Sequence, residues 1–180
     1  MPADPVRHHK IGALPVVTRR LTLVPLAAGH ADEMAAVLAD PDLYAFTGGS
    51  PPAVHELRAR YERWMAGSPD PAESWCNWVI ELRGPGCLAG TVQATVTTGD
   101  EVVAEVAWVV GTAWQGQGIA TEAAVALIAW LGEQGVQAVI AHIHPRHHAS
   151  AAVATAAGLT PTGQLHDGEM TWRLALTHGR

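Results

Sequence analysis

The spacing of apolar residues switches between two periods along the chain, two for strands and about 3.6 for helices, and the switches divide it into elements. Arg20-Leu21-Thr22-Leu23-Val24-Pro25 alternates polar and apolar residues and stops at a proline, which predicts a strand. Met34, Val37 and Leu38 recur at helical spacing over 31–39. That helix must end before Asp40-Pro41, because a residue preceding proline disfavours helical dihedrals. Over 51–67, Val54, Leu57, Tyr61, Trp64 and Met65 share one helical face, with Arg58, Arg60 and Arg63 largely off it. Short apolar segments at 75–82, 88–97 and 102–110, split by Gly84-Pro85-Gly86 and Gly99-Asp100, predict an antiparallel meander. Ala120, Ala123, Ala124, Leu127, Ile128 and Leu131 then form a helical stripe closed by Gly135. A strand at 138–143, an Ala-rich helix at 149–157 ended by Gly158, and strands at 159–165 and 169–176 complete the chain.

The order β, α, α, β, β, β, α, β, α, β, β describes a mixed α/β (α+β) domain of about seven strands and about four helices. No internal repeat or linker divides it. Residues 1–15, with Pro2, Pro5, Pro15 and His8-His9-Lys10, read as a flexible N-terminal lead-in, and residues 16–180 as a single domain.

Composition narrows the class. The chain has 180 residues, 48% hydrophobic and 16% charged, enough to bury about 70% of its extended surface. No apolar run reaches the ~20 residues of a bilayer span, so no membrane partner is expected. A net charge of −6 disfavours nucleic-acid binding, which needs Lys and Arg to neutralise phosphates. Lys10 is the only lysine, which excludes Schiff-base chemistry in the core. Cys76 and Cys87 read as free thiols in a reducing compartment, and Arg7 and Lys10 are not followed by the apolar stretch of a secretory signal; a cytoplasmic location is expected.

The stretch Gly111-Thr112-Ala113-Trp114-Gln115-Gly116-Gln117-Gly118 joins a strand to a helix. Unpaired amides at a helix N-terminus bind anions, and glycines let the backbone approach a ligand closely. No Lys or Arg occurs between Gly84 and Pro145, so a phosphate here depends on backbone amides. Gly116 is followed by Gln117-Gly118 rather than the Lys-Ser/Thr of a P-loop, and the preceding meander is the wrong context for a dinucleotide fingerprint.

Gln115-Gly116-Gln117-Gly118-Ile119-Ala120 resembles the Gln/Arg-x-x-Gly-x-Gly/Ala motif of the GNAT superfamily of N-acetyltransferases, whose fold has a similar element order. Thr18 to Leu23, Gly90-Thr91-Val92, Glu105-Val106-Ala107-Trp108, Trp114 to Ala123 and Ala149-Ser150 resemble the ribosomal-protein alanine acetyltransferase (Rim) branch. The resemblance, over about residues 18–176, implies a mainly antiparallel sheet and acetyl-CoA as cofactor. It places the pyrophosphate on Gln115, Gly116, Gln117, Gly118, Ile119, Ala120 and Thr121, and the pantetheine arm along Trp108, Val109 and Val110. Strand 138–143 would then splay away to open the cleft.

The implied reaction is direct acetyl transfer to a primary amine, of which a peptide or protein N-terminal α-amine is the expected acceptor; polyamines, amino acids and aminoglycosides suit the negative chain equally. Glu105 is the candidate base, with Glu101 and Glu122 as alternatives; Glu122 also has a structural explanation in the first turn of a helix. Ser150 is the candidate group for the leaving thiolate, or a helix-capping serine, or both. His147 stands where the related motif has asparagine and is expected, with Ser150, to contact the cofactor, donating to the pantetheine region and introducing a group that titrates near neutrality; no tyrosine follows Tyr61 to serve as acid. Arg146 is expected on the adenosine 3′-phosphate.

Acceptor selectivity is expected from Tyr44-Ala45-Phe46-Thr47-Gly48-Gly49 and from the hairpin at 166–169, with an aromatic wall drawn from among Trp75, Trp78, Trp108, Trp114, Trp130 and Trp172, most of which are expected in the core. An exposed strand edge leaves a homodimer open. Two further readings compete: a zinc site on His142, His144, His147 and His148, for which no metal is expected because the ion needs a third or fourth ligand converging with tetrahedral geometry and no Cys or carboxylate lies nearby in sequence, and an acyl-CoA-binding sensor without catalysis.

Overall fold

The computed structural model describes residues 10–177. Eight strands form one sheet: β1 (Val16–Val17), β2 (Leu21–Pro25), β3 (Glu73–Leu82), β4 (Leu88–Thr97), β5 (Val103–Val110), β6 (Ala138–Ile143), β7 (Thr160–His166) and β8 (Glu169–Ala175). Their spatial order is β1-β2-β3-β4-β5-β6-β8-β7. The strand beyond the expected seven is the two-residue β1, too short to leave a periodic signal. The helices are α1 (Ala31–Val37), α2 (Val54–Ala66), α3 (Ile119–Glu133) and α4 (His148–Ala156).

Alternation within the strands sends side chains to two separate cores. Trp78, Ile80, Val92, Ala94, Ala104 and Val106 face α3, whose Ala123, Leu127 and Leu131 close the larger core. Trp78 and Trp130 meet there edge to face at 5.1 Å. On the opposite face Val79 and Leu88 pack under Met34 of α1 and Leu57 and Tyr61 of α2.

Residues 1–9 of the expected lead-in lie outside the described residues. Residues 10–15 are tied down: Ile11 N donates to Ser74 Oγ at 3.0 Å, and Trp78 Nε1 donates to the Leu14 carbonyl at 2.7 Å.

One rupture in the sheet positions the site. β4 and β5 pair antiparallel along their whole length, from Gly90↔Val110 to Thr97↔Val103. β5 and β6 run parallel and pair only over Val103↔Ala138, Ala104↔Val139 and Glu105↔Ile140. Beyond that rung β5 stays with β4, while β6 stays with β8 through Ile143↔Met170. The two strands therefore separate as a V. Gly90 allows the tight β4–β5 contact near its mouth, since a Cβ there would lie 2.1 Å from the Val109 carbonyl oxygen.

Candidate active site

The V opens into a cleft of about 930 Å³, bounded by β5 and β6, the start of α3, the start of α4, and the α1–α2 layer. Trp108, Val109 and Val110 line it from the β5 side, where the edge of the strand that faces β6 has no partner beyond Glu105. The backbone edge of these residues is open to an extended ligand.

At the mouth lies the glycine loop. Gly116 and Gly118 adopt φ values of 72° and 75°, the left-handed region that side chains resist. The first α3 amide with an intrahelical acceptor is that of Glu122, which bonds the Gly118 carbonyl at 3.0 Å. The amides of Ile119, Ala120 and Thr121 have no acceptor among the described residues, and all three residues line the cleft. Gln115 and Gly116 line it too, whereas Gln117 does not. The glutamines brace the loop instead: Gln115 Nε2 donates to the Val110 carbonyl at 3.0 Å and Gln117 Nε2 to the Ala113 carbonyl at 3.3 Å.

Sequence spacing could not show what holds this loop from outside. Arg20 Nη1 donates to the Gln117 carbonyl at 2.9 Å, while Arg20 Nε meets Glu122 Oε2 at 2.6 Å. Glu122 Oε1 accepts from Thr18 Oγ1 at 2.7 Å and from the Arg20 amide at 2.9 Å. Burial pushes the Glu122 carboxyl up, but the Thr18 hydroxyl and the Arg20 amide and guanidinium outweigh it and hold the group below its ordinary value. Glu122 is thus a brace with its lone pairs engaged. Glu101 is also engaged, with Arg173 Nη2 at 2.6 Å. Glu105 alone of the three carboxylates stands beside the cleft.

Glu105 projects from the last shared rung and is exposed, outside the cleft wall itself. Its Oε2 lies 3.9 Å from Nε2 of His142, whose side chain is only 14% exposed and does line the cleft. Thr171 Oγ1 is 3.2 Å from His142 Nδ1, and His166 stacks on the ring at 4.8 Å. His144, on the same strand face, packs against Phe46 at 5.1 Å. Among the described residues no three His, Cys, Asp or Glu side chains converge as a metal site.

Ser150 lies at the third position of α4 and is not its cap. The cap is His147, whose Nδ1 accepts from the Ser150 amide at 3.0 Å. An imidazole that accepts at Nδ1 carries its proton on Nε2, the atom 3.5 Å from Ser150 Oγ. In that contact the serine oxygen accepts, leaving its hydroxyl hydrogen available to another acceptor. Histidine therefore takes the capping place of the asparagine in the related motif, since each offers an acceptor at the same reach. His147 and Ser150 both line the cleft; Arg146 is exposed beside them, outside its wall, with no side-chain partner among the described residues.

The far wall comes from the first third of the chain. Tyr44, Phe46 and Thr47 line the cleft, as does Glu169 of the last hairpin. The turn is anchored where Thr112 Oγ1 donates to Asp40 Oδ2 at 2.7 Å. Of the tryptophans expected there Trp108 and Trp114 line the cleft, joined by Trp64, which was not expected, while Trp78 and Trp130 are in the core. Tyr61 and Arg60 of α2 also face the cleft, which corrects the expectation that Arg60 lies off the packed face.

Residues 20–160 match the family model described as an acetyltransferase (GNAT) domain. No curated protein sequence matches the chain significantly. Among solved structures, a GNAT-family acetyltransferase from Bacillus anthracis is 18% identical with a TM-score of 0.76, covering 90% of this chain and 98% of that one. The microcin C7 self-immunity acetyltransferase MccE, solved with acetyl-CoA and AMP, is 17% identical with a TM-score of 0.73, covering 88% and 93%. The ribosomal-protein-S5-alanine acetyltransferase from Vibrio fischeri is 16% identical with a TM-score of 0.73, covering 91% and 97%.

Proposed function

The chain belongs to the GNAT acetyltransferase family and is an acetyl-CoA-dependent N-acetyltransferase, and from that premise we propose that it acetylates the N-terminal α-amine of a peptide or protein. The observation that carries the assignment of roles is the V between β5 and β6, with free amides at its mouth and an imidazole–carboxylate pair at its apex. The sequence resemblance to the Rim branch, and the fold shared with an S5-alanine acetyltransferase, support the peptide acceptor.

The residues fit the cofactor. Amides of Ile119, Ala120 and Thr121, with the positive end of α3, suit a pyrophosphate that no lysine accompanies. Gln115, Gly116, Gln117 and Gly118 shape that cradle, and Arg20 fixes its outer rim through Gln117. The edge of Trp108, Val109 and Val110 receives the pantetheine arm as an added strand. Arg146 and His147, before and at the start of α4, serve the adenosine 3′-phosphate and the arm respectively.

Acetyl-CoA supplies a thioester whose acyl carbon is attacked directly, so the chain needs no nucleophile of its own. It must instead deliver a neutral amine and satisfy the departing sulfur. His142, inside the cleft, takes the ammonium proton, and the Glu105 carboxylate 3.9 Å away stabilises the imidazolium until it releases that proton to solvent. As the carbon–nitrogen bond forms and the carbon–sulfur bond breaks, the Ser150 hydroxyl donates to the thiolate.

Titration calorimetry with acetyl-CoA tests the cofactor site. Micromolar binding is expected for the wild type and its loss in Gly118→Trp, with circular dichroism showing that the variant remains folded. A screen of peptide and small-molecule amines by thiol release then tests the acceptor. Absence of acetyl-CoA binding to the wild type overturns the assignment, and turnover restricted to polyamines or aminoglycosides overturns the peptide acceptor.

A further inference from the structure

The α2 wall of the cleft holds two adjacent polar groups that the acetyl-transfer chemistry does not use. Tyr61 is 1% exposed, with its ring packed in the core of the α1–α2 layer and its residue lining the cleft. Its hydroxyl has no hydrogen-bond partner among the described residues. A buried hydroxyl without a partner is unfavourable unless a ligand or solvent completes it.

Arg60 is half-buried on the same wall, and no ion pair or hydrogen bond to its guanidinium occurs among the described residues. Its neighbour Arg58 differs, pairing with Asp32 Oδ2 at 2.6 Å on the outer surface. Burial raises Tyr61 to about 12, and the nearby charge of Arg60 opposes that rise at both Tyr61 and Tyr44. Asp42 and Glu169 also line the cleft, but neither is within ion-pair distance of Arg60. A guanidinium fork at this wall, with an unpartnered phenolic O–H enclosed directly behind it, offers the donors that a carboxylate accepts.

We propose that Arg60 and Tyr61 form a carboxylate subsite, so that the amine acetylated in this cleft belongs to a molecule that also carries a carboxylate. Two sources present that chemistry: a free amino acid, or a peptide with an acidic side chain near its N-terminus. The proposal rests on the acetyltransferase reading of the same cleft and specifies its acceptor. The ammonium end of such a molecule faces His142 and Glu105, and its anionic end faces Arg60. A polyamine meets repulsion from Arg60 instead.

The test uses two matched pairs of acceptors, amide-capped Ala-Asp-Gly against Ala-Asn-Gly, and free alanine against alaninamide. Acetyl transfer is read by thiol release, and binding to the CoA-loaded protein by calorimetry. The acidic member of one pair should be preferred about tenfold, as expected for one charge-assisted contact, and that pair identifies the source. Arg60→Gln should bring the preference close to unity, and Tyr61→Phe should reduce it. Because the Tyr61 hydroxyl is unpartnered in the fold, Tyr61→Phe should keep or raise the Tm. Equal use of both members of each pair overturns the subsite and leaves acetyl transfer standing. If no acceptor is turned over, a binding preference that Arg60→Gln abolishes still supports the subsite, and equal binding overturns it. A clear loss of Tm in Tyr61→Phe overturns the role of that hydroxyl.

Discussion

His142 Nε2 lies 3.9 Å from Glu105 Oε2, although the two side chains come from strands that part at that point. Glu105 sits opposite Ile140 in the last shared rung, so His142, two residues on, projects from the same sheet face into the opening V. The imidazole is thereby inside the cleft and the carboxylate outside it.

This arrangement predicts unequal and coupled effects. His142→Gln should lower kcat by about 10²–10³-fold, as loss of a general base does. Glu105→Gln, acting through His142, should cost less, and the double variant should be little worse than His142→Gln alone. Thiol release at saturating acetyl-CoA measures all three, and multiplicative losses would show that the groups act independently.

The brace between Arg20 and Glu122 predicts an acid-sensitive stability. The Glu122 carboxyl lies below its ordinary value of 4.5, so it contributes stability above that pH and loses it as pH falls through the lower folded value. At neutral pH, Glu122→Gln should be less stable by about 1–2 kcal/mol, the lower end reflecting the exposure of Arg20. On acidification the Tm values of variant and wild type should converge.

The same brace reaches the glycine loop, the proposed cofactor cradle, through the Gln117 carbonyl. Arg20→Ala should therefore raise the acetyl-CoA Kd several-fold in calorimetry. Arg19→Ala, whose side chain has no contact with the loop, should leave it unchanged.

The cap of α4 predicts a rescue. His147→Ala should destabilise the protein by about 1 kcal/mol, and His147→Asn should recover most of that loss, because the asparagine oxygen can accept from the Ser150 amide. Ser150→Ala should leave the Tm near the wild-type value while lowering kcat about tenfold or more. Thermal denaturation and turnover, measured together, separate capping from chemistry.

Arg146→Ala should weaken CoA about tenfold and dephospho-CoA little, if its guanidinium meets the 3′-phosphate. Equal losses for the two ligands would reject that contact.

Local chemistry made much of this molecule legible from its sequence. The period-two and helical spacings located the strands and helices within a few residues, because each records which neighbouring side chains share a face. Gly116 and Gly118 announced a loop at a helix start whose backbone can approach a ligand closely, for the same reason: the constraint lies within a few bonds. The split between β5 and β6 followed from family resemblance, not from spacing.

Relationships that cross the sheet were decided by the tertiary structure. Arg20 meets Glu122 and Gln117, and Glu105 meets His142, because strand register and the rupture of one ladder bring distant positions together. Arg60 illustrates the limit most clearly. Its charge assigned it to solvent, yet it stands three residues after Leu57 and four before Trp64, on the face that packs over the sheet. A long aliphatic stem lets the residue follow that face while its guanidinium reaches the cleft. Sequence determined the elements and the loop, where the governing distances are short along the chain. The partners of His142 and Arg20, and the place of Arg60 and Tyr61 on the cleft wall, depended on distances through space that only packing sets.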